Sequence, residues 1–265
     1  MKIGVFDSGL GGLAVLKELI HVLPEYDFVY LGDNKNAPYG NKSAQEIFEL
    51  SKKAIIKLFE LDCDLVIIAC NTVSAESLKR VQQELLPLYP GKKVLGVIRP
   101  TVEELVGLEF KNIGVIGTKA TIESGAFGKE IEKILPEAKV YGVASLNLAR
   151  LIEDGGSNYQ DIFLEIESVL SEIKDKIEVL ILGCTHYPLV KDIFFDYLPS
   201  EVRIIDPRLA VAVATKEYLK RHEDLDLSLS KKSNIDYFLT QSDVDYDFFC
   251  LELFGHVPDF LPIEL

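Results

Sequence analysis

The feature that most constrains the fold is a repeat. Lys111-Asn112-Ile113-Gly114-Val115-Ile116-Gly117-Thr118 echoes Met1-Lys2-Ile3-Gly4-Val5-Phe6-Asp7-Ser8, an offset of 110 residues at the first isoleucine. Further on, Leu65-Val66-Ile67-Ile68-Ala69-Cys70-Asn71-Thr72 recurs as Val179-Leu180-Ile181-Leu182-Gly183-Cys184-Thr185-His186, an offset of 114. Two similar offsets in the same order indicate one unit built twice. Each repeated piece is a short apolar run bounded by polar residues or glycine, the pattern of a strand buried on both faces.

Helical stretches separate these runs. Leu13, Leu16, Leu19, Ile20 and Leu23 form an apolar stripe that Pro24 ends, and Ser43 with Glu46 three residues on makes a capping box for a helix reaching Leu61. Further helices are expected from Cys70 to about Leu86 and over 100–108, between strands at 3–6, 27–31, 65–69, 94–97, 139–141, 179–182 and 202–205. Strand and helix in alternation predict an α/β fold of two pseudo-symmetric domains, each a mainly parallel sheet flanked by helices. Asp206-Pro207 closes the second unit, and the tail returns to the first. The expected domains are therefore 1–97 plus 207–265, and 98–206. Within the tail, a polar run at 243–247 precedes an apolar one at 248–254.

Composition narrows the partners. The 265 residues are 48% hydrophobic, enough for an ample core. Twenty-eight Lys and Arg against 42 Asp and Glu give a net charge of −14 with no basic run, which disfavours nucleic acid and anionic membranes. The cysteines at 63, 70, 184 and 250 are spaced for neither a zinc site nor a disulfide scaffold, and free thiols suit a reducing cytosol. Asp7 and the following glycines interrupt any signal-peptide core, and no apolar run reaches the roughly 18 residues a membrane span needs. A cytoplasmic protein is expected.

Gly9-Leu10-Gly11-Gly12-Leu13-Ala14 fits a dinucleotide-binding turn, and Asp33 stands where a ribose-binding acid belongs. Asp7 and Ser8 weigh against that reading by placing a carboxylate beside any pyrophosphate, and the echo at Gly117-Thr118 lacks the glycine repeat. A tight turn alone also accounts for the glycines. A single buried cysteine is more often a small hydrophobe than a nucleophile. Cys70 and Cys184 differ as a pair: each ends an apolar strand, precedes polar side chains, and is placed to begin a helix whose dipole lowers a thiol pKa. Cys63, before its strand between Asp62 and Asp64, and Cys250, in an apolar stretch, are expected to be structural. His186, two residues from Cys184, suits proton transfer near neutrality. His21, His222 and His256 are expected to face solvent.

Taken together, Phe6-Asp7-Ser8-Gly9-Leu10-Gly11-Gly12, Ala37-Pro38-Tyr39-Gly40, Ala69-Cys70-Asn71-Thr72, Gly117-Thr118-Lys119-Ala120-Thr121 and Gly183-Cys184-Thr185-His186-Tyr187-Pro188 resemble the glutamate racemase family, within the cofactor-independent aspartate/glutamate racemases. The resemblance implies two domains facing across a cleft, with one cysteine from each on either side of the substrate α-carbon. It implies that the thiol matching Cys70 takes the proton of D-glutamate and that matching Cys184 the proton of L-glutamate. Asp7 and Glu153 then assist Cys70, and His186 assists Cys184. Asp7, Ser8, Pro38, Tyr39, Gly40, Asn71, Thr72, Thr118, Thr121, Thr185 and His186 match substrate-binding positions. No cofactor or metal is implied, the substrate is glutamate, a homodimer is expected, and the product serves peptidoglycan synthesis. Arg99, Arg150 and Pro207 depart from the family pattern, which often has Glu, Pro and Ser there.

The residue chemistry agrees with this scheme. Inverting a stereocentre by proton transfer needs a base on one face and an acid on the other, and two thiols can exchange those roles. Two other readings remain at this stage. One is racemisation of aspartate or a one-thiol decarboxylation; the other is a clamping amino-acid-binding protein, which would need no thiols and would usually be exported.

Overall fold

Short runs of consecutive apolar residues build the strands, and the repeat builds two sheets from them. The computed structural model describes residues 1–153, 159–241 and 246–265. Among these, the strands are β1 (Lys2–Asp7), β2 (Phe28–Gly32), β3 (Cys63–Ile68), β4 (Lys93–Gly96), β5 (Asn112–Gly117), β6 (Lys139–Ala144), β7 (Val179–Gly183), β8 (Arg203–Ile205), β9 (Ile235–Leu239) and β10 (Phe260–Pro262). The first sheet runs β10-β9-β2-β1-β3-β4 and the second β6-β5-β7-β8, with every pairing parallel. Read from the outer edge, β4-β3-β1-β2 matches β8-β7-β5-β6 strand for strand. The duplication visible in the sequence is thus a duplication of topology.

Both faces of each sheet are covered. On β7, Val179 and Ile181 enter one apolar cluster while Leu180 and Leu182 enter another, because successive side chains point to opposite faces. On β1, Ile3 and Val5 pack on the face carrying the helix Gly12–Val22, and Phe6 packs on the face carrying the helix Ala44–Glu60. Burying apolar strands between helix layers is the main stabilisation of such sheets, at roughly 25 cal/mol per Å² of apolar surface removed from water.

Local signals set the helix ends. The capping box at Ser43 and Glu46 is formed, with each side chain bonding the other's backbone N–H. Asp206 caps the helix Pro207–Lys220, accepting the Arg208 N–H, and Pro207 fills the first helical position, which needs no N–H donor. This helix packs back on Gly12–Val22, and β9 then joins the free edge of β2.

Three expectations are corrected. The single helix after Cys70 is broken into Asn71–Glu76, Leu78–Arg80, a wide π turn at Val81–Leu85 and a 3-10 turn at Leu86–Leu88 containing Pro87. The helix expected over 100–108 is the shorter Ile98–Glu103. Cys63 opens β3 rather than preceding it. Two strands were not foreseen: β9 is only half buried, which weakens alternation, and β10 carries Pro262, tolerated at a sheet edge. Most of the polar run at 243–247 lies outside the described residues. His21, His222 and His256 are exposed.

Candidate active site

The carboxyl ends of the two sheets share a cavity of about 810 Å³. In open parallel sheets this is where loops diverge and leave room for a ligand. From the first sheet, Ser8 follows β1, the Pro38-Tyr39-Gly40 loop follows β2, and Cys70, Asn71 and Thr72 follow β3; all line the cavity. From the second come Thr118 after β5, Glu153 at the end of the helix Leu148–Glu153, and Cys184, Thr185 and His186 after β7. Asp7 and Thr121 stand one layer behind the wall, Asp7 against Thr185 at 3.4 Å and Thr121 against Thr72 at 3.2 Å.

Residues that sequence reasoning did not assign to the site also line this cavity. Ala149 and Arg150, the latter noted only as a departure from the family pattern, come from the helix Leu148–Glu153, and Asn34 from the loop after β2. Tyr246, Asp247, Phe248 and Phe249 come from the tail, where the helix Asp247–Phe254 reaches the site. Only the apolar run at 248–254 hinted at this, since a chain end needs a place to bury it. Among the described residues, no cluster of three or more His, Cys, Asp or Glu is placed to hold a metal.

Cys70 is the N-cap of the helix Asn71–Glu76, with its Sγ 3.3 Å from Ser8 Oγ. Burial first, and the neighbouring Asp7 charge second, push its thiol up to about 12, against hydrogen bonds from Ser8 and the Val73 N–H. The lowering expected from the helix dipole is therefore outweighed in the ligand-free protein. Burial likewise pushes the Asp7 carboxyl up to about 6, resisted by the positive charge of His186 and the Gly9 N–H at 2.9 Å.

The surroundings of Cys184 differ. No α-helix starts beside it; a 3-10 turn, Tyr187–Val190, comes before the helix Lys191–Tyr197, so the expected helix dipole is missing here. Instead His186 folds back, with Nδ1 3.7 Å from Cys184 Sγ. Its Nε2 lies 3.5 Å from Glu153 Oε2, within ion-pair range though not aligned as a hydrogen bond. Burial opposes charge on the imidazole, but the contacts with Cys184 and Glu153 outweigh it and hold His186 well above its ordinary value. Glu153 is held below its usual value despite burial, by His186 and the Leu10 N–H. The resemblance assigns Glu153 to Cys70; its carboxylate contacts His186 and the Leu10 N–H.

Hydroxyls and amides complete the cavity. Thr72 Oγ1 lies 2.9 Å from Thr118 Oγ1, which lies 2.9 Å from Thr121 Oγ1, so three hydroxyls bridge the two sheets. Both polar atoms of the Asn71 amide are buried without a partner. Such atoms are costly to leave unpaired, and Asn71 lines a cavity a polar ligand can fill.

The glycine-rich turn serves this architecture. A β-carbon at Gly11 would overlap Thr185 Oγ1 and lie 2.7 Å from the His186 ring, so glycine lets the end of β1 meet the end of β7. At Gly12 a β-carbon would collide with Asp7. The N–H groups of Gly9 and Gly12 are directed to the Asp7 carboxylate, where a pyrophosphate site would leave them free. Asp33 is likewise committed: it accepts from Tyr39 at 2.5 Å, Asn36 at 2.9 Å and Thr240 at 2.8 Å, fixing the Tyr39 loop.

Two matched parallel sheets, meeting at their carboxyl ends around a cavity lined by two thiols, define a two-domain α/β enzyme of the racemase type. The model of the Asp/Glu/Hydantoin racemase family matches residues 11–215. Glutamate racemase of Phenylobacterium zucineum is 38% identical over 263 residues, covering 91% of this chain and 92% of its own. That of Aquifex aeolicus is 40% identical over 230 residues, covering 86% and 87%. The crystal structure of Francisella tularensis glutamate racemase in complex with D-glutamate superposes with a TM-score of 0.89 at 31% identity, covering 99% of this chain and 97% of that one. The chain belongs to the Asp/Glu racemase family; it is an amino-acid racemase, an isomerase.

Proposed function

We propose that the protein is a cofactor-independent glutamate racemase working by two-base proton transfer at the α-carbon. The observation that carries this reading is the pair of thiols, Cys70 and Cys184, at corresponding ends of β3 and β7 and lining one cavity. Cys184 takes the α-proton of L-glutamate while Cys70 gives a proton to the opposite face; D-glutamate runs the same exchange in reverse. One C–H bond and one S–H bond break, one of each forms, and no electron leaves the system, so the chemistry calls for no redox group.

Each thiol needs a partner to hold its proton. Asp7, raised towards neutrality, serves Cys70, and His186 serves Cys184. Ser8, the loop of Pro38, Tyr39 and Gly40, Asn71, Thr72, Thr118 and Thr185 bind the carboxylates and ammonium, and Thr121 takes part from behind through Thr72 and Thr118. The unpartnered Asn71 amide supports this assignment, because a dicarboxylate with an ammonium supplies both the donors and the acceptors it lacks. We extend the reading to domains at 1–97 plus 207–265 and at 98–206, a homodimer, a cytoplasmic location and a supply of D-glutamate for peptidoglycan. The strand membership of the two sheets supports the domain limits. Among the described residues no helix is long and apolar enough to cross a membrane.

Incubation of either enantiomer in D2O without additives is expected to yield the opposite enantiomer with deuterium at the α-carbon. Inverted product that keeps its α-hydrogen would refute the two-base scheme, and faster turnover of aspartate would refute the substrate.

A further inference from the structure

His186 is held on every side. Its ring is buried, a β-carbon at Gly11 would lie only 2.7 Å from Cε1 and Nδ1, and the Phe249 ring stands 6.2 Å away at 57°. A ring so confined cannot flip freely, so its two nitrogens keep distinct partners. Nδ1 faces Cys184 Sγ at 3.7 Å, and Nε2 faces Glu153 Oε2 at 3.5 Å. The titratable groups around it are Cys184 in its own loop, Glu153 from the helix Leu148–Glu153 and Asp7 from the end of β1.

We propose that Glu153 is the positioning residue of the Cys184 side: its carboxylate, 3.5 Å from Nε2 of His186, keeps the ring hydrogen on that nitrogen by its charge, so that Nδ1 is left to take the proton of Cys184. A carboxylate is an acceptor only, so the nitrogen facing it carries the hydrogen, and the neutral ring then offers its lone pair at the other nitrogen. The proton moves from Cys184 Sγ to His186 Nδ1, leaving a thiolate and an imidazolium. The thiolate then takes the α-proton of L-glutamate: the C–H bond breaks, S–H forms, and the electron pair stays on the α-carbon until Cys70 delivers its proton. Glu153 touches neither sulfur; it acts through the ring. The directions seen for the two residues, His186 raised and Glu153 lowered, agree with a carboxylate that favours the ring's taking up a second proton at Nδ1. Cys70 has Ser8, the Val73 N–H and Asp7 beside it, and Asp7 in turn feels the charges of His186 and Glu153.

This inference rests on the two-thiol reading of the site, and its test separates the two. Glu153→Gln keeps the shape and removes the charge. In nitrogen-15 histidine spectra of the intact protein, with the His186 signal assigned by its loss in His186→Asn, the variant should lower the His186 titration by at least one pH unit. Glu153→Asp, one methylene shorter, should fall between the two and covers the case where the glutamine variant does not fold. No substrate is involved, so a protein inactive on glutamate would defeat the racemase reading and leave this result standing. An unchanged His186 titration overturns the proposal.

Turnover supplies the second measurement. Glu153→Gln should cost at least tenfold alone and nothing further in the His186→Asn background, while multiplying with Asp7→Asn. A loss that multiplies with His186→Asn and vanishes with Asp7→Asn assigns Glu153 to Cys70 and overturns the proposal.

Discussion

The ends of β3 and β7 are the same place in two copies of one unit, and they solve one problem differently. Each strand pairs with the first strand of its repeat, and each is followed by a buried cysteine on the shared cavity. Cys70 has a partner on the neighbouring strand, Asp7 at the end of β1. Cys184 has a partner in its own loop, His186, with Glu153 behind it. A carboxyl titrates too low to hold a thiol's proton, and burial raises it to about 6; burial disfavours charge on an imidazole, and the contacts with Cys184 and Glu153 outweigh it. Both groups thus end above their ordinary values, the carboxyl through burial and the imidazole through its contacts with Cys184 and Glu153. A reaction whose substrate and product are mirror images needs matched bases, not identical ones.

The comparison breaks most sharply if either thiol is dispensable. Cys70→Ala and Cys184→Ala should each lower racemisation by about 10³-fold or more, since a required proton carrier is lost. A glutamate analogue with chloride on the β-carbon separates the sides, because abstraction alone then expels chloride and forms a double bond. Cys70→Ala should eliminate from the L form only and Cys184→Ala from the D form only. Elimination from both enantiomers by either variant would show that the sides are not divided as described.

A smaller effect tests the raised carboxyl. Asp7→Asn should lower turnover by about 10²-fold. Asp7 must be ionised to receive a proton, so the wild-type kcat/KM should fall as pH drops below about 6, and this acid limb should vanish in the variant. The sign for stability is opposite. With a folded value of about 6 against the ordinary 3.8, ionised Asp7 destabilises the fold above pH 6, and the penalty disappears below pH 4. Asp7→Asn should therefore stabilise the protein at pH 8 by up to about 3 kcal/mol and leave it unchanged at pH 3.5. Denaturant melts at the two pH values measure this directly; equal shifts at both would show that the carboxyl is not strained.

The elements legible in the sequence were those whose signals are local. Apolar runs at 65–69 and 179–182, the Ser43 capping box and the Asp206-Pro207 helix start each depend on a few adjacent residues. Offsets of 110 and 114 then predicted two parallel sheets without knowledge of any contact. What escaped depends on packing between distant segments. The partner of Glu153 is set by how the helix Leu148–Glu153 lies against the loop after β7, more than thirty residues on. Gly11 reads as a turn residue until Thr185 is seen against it. Strand β9 and the helix bearing Phe249 gain their places only once the edge of β2 and the cavity exist to receive them.

The smallest effect sharpens the comparison most finely. Ser8 Oγ lies 3.3 Å from Cys70 Sγ, whereas the side-chain partner of Cys184 is His186. Ser8→Ala removes one hydrogen bond, worth roughly 0.5–1.5 kcal/mol, or about two- to tenfold in rate. Racemisation cannot reveal which side suffers, because enantiomers have an equilibrium constant of one and kcat/KM must fall equally in both directions. The β-chloro analogue has no such constraint, since chloride loss makes abstraction one-way. Elimination from the D form should slow more in Ser8→Ala than elimination from the L form, because Ser8 meets the Cys70 thiol as well as the substrate; equal slowing of both would show that Ser8 acts on the substrate alone.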